Sequence, residues 1–188
     1  VLVRNLESYG FLSGRVPAGK LVIDAGLYVW NREALLFWQD RAGEFYLPIE
    51  GTRQEWKELL RAVPEQTMKA SAVVYGLLPM MVTAGGLKKT SGKCGKRPEI
   101  LTLTDRDKKK FPVYTDCRSC YNVIYNSVPL SLHGMFSAKA SVDAFFRGNY
   151  RLDFTVESKE ETYKIIKYFQ ELPAQYREPV YREYTTGH

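Results

Sequence analysis

The sharpest chemical signal in the chain is a pair of cysteines three positions apart, in Cys117-Arg118-Ser119-Cys120. This spacing lets one turn present two thiolates to one metal, and Cys94, upstream of a β-like stretch, supplies a third sulfur. The Lys and Arg residues around these positions favour the thiolate form that a metal requires. A thioredoxin-like redox pair is disfavoured: that motif belongs at a strand-to-helix turn, and this pair precedes the β-rich Tyr121-Asn122-Val123-Ile124-Tyr125. Three buried, inert thiols are the competing reading. His133 and His188 are the only imidazoles available as a further ligand, and a lone histidine is more often structural.

A second constellation is carboxylate. Asp24 and Glu50 each follow an apolar, strand-like run, which in a βα barrel places them at the carboxyl ends of strands together with Arg4, Asn5 and Tyr75. Two carboxylates at one mouth can act as acid, base or cation ligand. The competing reading is that each caps or braces its own loop. No Ser-His-Asp ordering, phosphate-binding glycine loop or His-Glu-x-x-His helix is present.

The third feature is charge. Residues 86–120 hold ten basic residues, Lys88, Lys89, Lys108, Lys109 and Lys110 among them, against four acidic ones. That local excess equals the net charge of +6 of the whole chain, so the remainder is neutral. Such a patch attracts polyanions, RNA above all, by neutralising phosphates and releasing counterions. A solvated lysine-rich hairpin is the plainer alternative.

The elements that must position these residues are legible as a repeat. Short apolar runs at Val1-Leu2-Val3, Leu21-Val22-Ile23, Phe45-Tyr46-Leu47 and Ala72-Val73-Val74 are each followed by a helix-like segment, the signature of βα units and a parallel sheet. The runs lack polar alternation, as strands covered on both faces do. Asn31 is placed to cap a helix over residues 32–39 whose apolar stripe is Ala34, Leu35, Phe37 and Trp38. Thr52 with Glu55 and Ser158 with Glu161 fit the capping-box spacing. The second box opens a helix to about residue 172, with Tyr163, Ile166, Tyr168 and Phe169 expected against the sheet and Pro173 ending it. Ile100-Leu101-Thr102-Leu103 and Phe111-Pro112-Val113-Tyr114 flank the polar Asp105-Arg106-Asp107-Lys108, a hairpin signal. A helix is expected over residues 138–147 and a last strand over residues 150–154.

The fold class implied is α/β: a partial, TIM-like βα barrel over residues 1–85, a basic, cysteine-containing β insert over 86–135, and a closing helix-strand-helix with a tail over 136–188. Five or six strands are too few for eight, and periodicity alone does not separate half a barrel from an open doubly wound sheet. A chain 45% apolar and 13% aromatic is neither disordered nor fibrous. No run reaches the roughly 18 apolar residues of a membrane span, and the start lacks a signal-peptide pattern. Three cysteines, an odd number, argue against a disulfide framework and for a reducing, cytoplasmic setting. The start at Val1 and the stop at His188 read as a piece of a longer chain.

Several segments together resemble one family. They are Val74-Tyr75-Gly76-Leu77-Leu78-Pro79, Lys88-Lys89-Thr90, Cys94, Phe111-Pro112-Val113, Cys117-Arg118-Ser119-Cys120-Tyr121-Asn122, Pro129-Leu130-Ser131-Leu132 and Arg151-Leu152-Asp153-Phe154. With Val3-Arg4-Asn5, Asp24, Pro48-Ile49-Glu50 and the closing Tyr184-Thr185-Thr186-Gly187-His188, the pattern is similar to the carboxy-terminal part of the collagenase-like peptidase family U-thirty-two and spans essentially the whole chain. The resemblance implies a βα barrel, with an amino-terminal part of the same protein as partner, and either proteolysis or oxygen-independent hydroxylation of RNA bases or quinone precursors. It further implies an iron–sulfur cluster on four cysteines, three of which fall on Cys94, Cys117 and Cys120. The fourth falls on Gly86, so the set as it stands suits a cluster with an open iron, zinc completed by water or histidine, or a member that has lost the site and serves as a non-catalytic RNA-binding or structural half-barrel.

Overall fold

The computed structural model describes residues 1–62, 68–90, 92, 95, 97–136, 148–172, 179, 181 and 183–186. It is a mixed α/β structure whose chain divides into two compact units, one of residues 1–74, 132–152 and 186–188, the other of residues 75–131 and 153–185. The segments expected from sequence cut across these units. The expected helix over residues 138–147 and Pro173 lie outside the described residues.

The first unit is the βα repeat. Strands β1 (Leu2–Val3), β2 (Val22–Ile23), β3 (Glu44–Tyr46) and β4 (Lys69–Gly76) pair in parallel in chain order, as the apolar runs predict. β10 (Tyr150–Asp153) lies next to β4, and among the described residues the strands do not close into a barrel. Residues 70–76 of β4 are all buried, which is why that run shows no polar alternation. Gly148 leads into β10 where the backbones nearly touch: a Cβ there would sit 1.6 Å from the Ala70 carbonyl oxygen. Only glycine permits that approach.

The connecting helices begin where the side chains can cap them. Asn5 Oδ1 accepts from Ser8 N at the start of α1 (Leu6–Leu12), and Asn31 Oδ1 accepts from Ala34 N at the start of α2 (Arg32–Trp38). Thr52 and Glu55 form the expected reciprocal box at the start of α3 (Arg53–Ala62). In α2, Leu35 and Trp38 are buried, and the Trp38 ring meets Tyr9 of α1 edge-on at 4.9 Å. Phe37 departs from the expected stripe: it is exposed and carries the Arg41 guanidinium 4.4 Å over its ring.

The second unit holds an antiparallel sheet in the order β5-β8-β7-β6, built from β5 (Pro79–Ala84), β6 (Glu99–Thr104), β7 (Lys110–Asp116) and β8 (Tyr121–Tyr125). The β6–β7 hairpin closes as the polar turn predicts, with Asp105 Oδ1 accepting from Lys109 N and Lys108 in the left-handed region. A short helix, α4 (Leu87–Thr90), follows β5. β9 (Leu130–Ser131) pairs antiparallel with residues 75–76. The helix α5 (Lys159–Glu171) opens with the Ser158–Glu161 box and buries Ile165, Tyr168 and Phe169. Tyr163, expected on that buried face, points to solvent, because the stripe set by residues 165, 168 and 169 leaves position 163 on the opposite side of a 3.6-residue turn.

Candidate functional site

The cysteine pair occupies the four-residue link between β7 and β8. Asp116, last residue of β7, organises it: its Oδ1 accepts the backbone N–H groups of Arg118 at 2.9 Å and Ser119 at 3.4 Å, and the Arg118 Nε lies 3.6 Å away. The Arg118 amide above all holds the Asp116 carboxyl below its usual range. Cys117 is buried and Cys120 half-buried, and the Cys120 thiol donates to the Cys117 carbonyl at 3.5 Å. Cys120 has φ of 54°, a left-handed conformation that a residue with a Cβ adopts at a cost of about 1–2 kcal/mol.

The strand beside this turn brings in the glycines. Gly85 N donates to the Cys120 carbonyl at 2.7 Å, with Gly85 itself at φ of 88°. The buried Asn122 then clamps the segment: its Nδ2 donates to Thr83 Oγ1 at 2.9 Å and to the Gly85 carbonyl at 2.8 Å, and its Oδ1 accepts from Leu87 N at 3.4 Å. The buried Gly86, the position the resemblance assigns to a fourth thiol, is thereby held beside the cysteine turn from both sides.

Cys94 and His188 lie outside the described residues, and His133 is buried in the other unit. Among the described residues no group of three His, Cys, Asp or Glu side chains converges as a metal site would require. Two thiols on one turn are half of a four-ligand shell, so the described donors do not by themselves fit an iron–sulfur cluster or a closed zinc site.

The lysines separate. Lys88 is paired with Glu99, both partly buried, so its charge is largely spent within the fold. The side chain of Lys89 is outside the described set. Lys108, Lys109 and Lys110 are exposed at and beside the tip of the β6–β7 hairpin.

The two carboxylates differ in setting. The register aligns Val3, Ile23 and Phe45, which sets Arg4 next to Asp24 and Asp24 next to Tyr46. The buried Asp24 accepts from Ala25 N and from the Arg151 guanidinium, both at 2.9 Å, and its second oxygen meets Arg4 Nε at 3.0 Å. Arg151 also lies 4.2 Å over the Tyr46 ring. With three donors on its two oxygens, Asp24 orients the two arginines and the turn that follows β2. Glu50 is exposed in the loop before α3. Sequence reasoning missed Arg151 as the partner of Asp24: the basic residue was visible in Tyr150-Arg151-Leu152-Asp153, and the strand pairing that delivers it was not.

In the second unit, Tyr75 donates its hydroxyl to Glu157 Oε1 at 3.0 Å amid the rings of Phe154, Phe169 and Tyr181. Burial first, then the Glu157 charge, drives the Tyr75 hydroxyl far above its ordinary value, and burial pushes Tyr181, bonded to Ser131, up to about 12. Both hydroxyls are hydrogen-bonding struts that stay neutral in ordinary conditions.

No family model, no curated protein and no solved structure matches this chain.

Proposed function

We propose that this chain is the carboxy-terminal part of an RNA-modifying protein that resembles family U-thirty-two, closing a βα barrel begun by an amino-terminal part of the same protein. Its antiparallel sheet contacts RNA, and its cysteine turn forms one arm of a thiolate metal site. One observation carries this reading: β7 has the exposed Lys108–Lys110 cluster at one end and the Cys117–Cys120 turn at the other, with Gly86 held beside that turn. The strand thus offers a polyanion contact and a pair of sulfurs within one compact unit. Cys94 would be the next ligand. A cluster bound there would supply one-electron redox chemistry. The peptidase alternative draws no support from Asp24, whose oxygens are occupied by two arginines and an amide.

Two measurements on the chain test this. Purified without oxygen, it is expected to carry iron with acid-labile sulfide, or zinc, that is lost in Cys117→Ser and Cys120→Ser. It is also expected to bind single-stranded RNA with an affinity that falls with salt, and to bind it more weakly with Lys108, Lys109 and Lys110 changed to Glu. Metal-free protein without RNA affinity would overturn the reading.

A further inference from the structure

The four-stranded sheet of the second unit has two unlike faces. Cross-strand pairing puts Thr83, Asn122, Thr115 and Glu99 in one row, with Val113 on the same face. Val113, Thr115 and Asn122 are at most 1% exposed, so this face is covered at its centre, while Met81 at the β5 edge stays 55% exposed. The alternate residues form the other face: the row Val82, Val123, Tyr114 and Ile100, with Tyr121 beside it. Val82 is 67% and Ile100 48% exposed, and Tyr114 and Tyr121 are only half-buried. An apolar, aromatic sheet face left open to water on an otherwise polar hairpin marks a contact surface.

Charge identifies the occupant. Lys110 shares the period-two face of Tyr114, about 13 Å along the strand at roughly 3.3 Å per residue. Arg118 stands past the other end of β7, its side chain 66% exposed. The carboxylate that the strand register puts on this face, Asp116, is turned into the amides of the cysteine turn and faces Arg118. The two tyrosine rings are 6.1 Å apart and tilted by 47°, so neither covers the other's face. Partial desolvation and the neighbouring Tyr121 and Asp116 raise the Tyr114 hydroxyl above its ordinary value, which keeps the ring neutral toward a polyanion. Aromatic rings on an open sheet between cations combine base stacking with phosphate neutralisation.

We infer that the open face of the β5-β8-β7-β6 sheet is a stacking platform for single-stranded RNA, with Tyr114 and Tyr121 taking bases and Lys110 and Arg118 flanking the phosphates. This rests on the RNA reading above and adds the surface that carries it. Duplex RNA, whose bases are already stacked, should bind weakly.

The test is fluorescence anisotropy of a labelled oligouridylate of about twelve nucleotides with the full chain. Tyr114→Ala with Tyr121→Ala should weaken binding by about tenfold or more, while Tyr114→Phe with Tyr121→Phe, which keeps the rings and controls for folding, should leave it nearly intact. Lys110→Glu should lower the salt slope by about one ion. If charge reversal at Lys108, Lys109 and Lys110 abolishes binding while the alanine pair, folded by circular dichroism, binds as tightly as the unaltered chain, the platform is overturned and the RNA reading stands. If the unaltered chain binds no RNA at low salt, the platform falls together with the RNA part of the reading, which metal content does not rescue. Tighter binding of a duplex of equal length would also overturn the platform.

Discussion

Asp24 and Arg151 meet at 2.9 Å across 127 positions of sequence, joining the end of the second parallel strand to the strand beside the fourth. The pair is largely screened from water, with side-chain exposures of 11% and 18%. Removing one partner therefore strands a charge, whereas Arg4, 70% exposed, is dispensable by comparison. Arg151→Ala is expected to cost about 3 kcal/mol in urea unfolding, and Arg4→Ala less than about 1 kcal/mol. Equal losses would show that Asp24 is held by both arginines alike.

The tyrosine network predicts an alkaline limit to stability. A hydroxyl whose folded value lies above its unfolded one contributes fully below the unfolded value and loses that contribution as pH rises toward the folded one. For Tyr181 the window runs from the ordinary 10.0 to about 12. Tyr75 shifts in the same direction, for the same leading cause. Thermal unfolding followed from pH 8 to 11 should stay level until about pH 10 and then fall. Tyr181→Phe should be less stable throughout and fall less steeply.

The cap of α5 offers a check on local energetics. Ser158 Oγ accepts from Glu161 N while Glu161 Oε2 accepts from Ser158 N. Ser158→Ala should cost about 1 kcal/mol, measured by denaturant midpoint at constant slope.

Cys120 separates a strained turn from a chemical one. Replacing it with Gly removes the penalty of a Cβ at φ of 54°, so in metal-free protein Cys120→Gly should be neutral to stabilising, within about 1 kcal/mol. If the cysteine turn is one arm of a metal site, as proposed, the same variant should lose the metal expected of the unaltered chain purified without oxygen. Unchanged metal content would remove Cys120 from the site.

Gly86→Cys tests the clamp made by Gly85 and Asn122. A thiol at 86 should raise iron and sulfide content after anaerobic reconstitution, because it adds a donor next to residues 117–120. No gain would show that the cysteine turn and position 86 do not share a centre.

Much of the local structure was written in the sequence because it depends on neighbours a few positions apart. Asn31, Thr52 and Ser158 cap where their spacing says, since a cap needs only the amides two or three residues on. The Asp105-Arg106-Asp107-Lys108 turn closes its hairpin for the same reason, and the apolar runs of β1 to β4 announce strands covered on both faces. The cysteine turn and the basic tip were likewise visible as motifs, one at each end of β7. What only the tertiary structure decided are the pairings between distant strands. Strand order delivers Arg151 to Asp24. The register of β5, β7 and β8 brings Gly86 beside Cys120 and sorts Tyr114 and Tyr121 onto an open face while burying Thr115 and Asn122. A period of two says that a strand has two faces, and only packing says which of them is left to water.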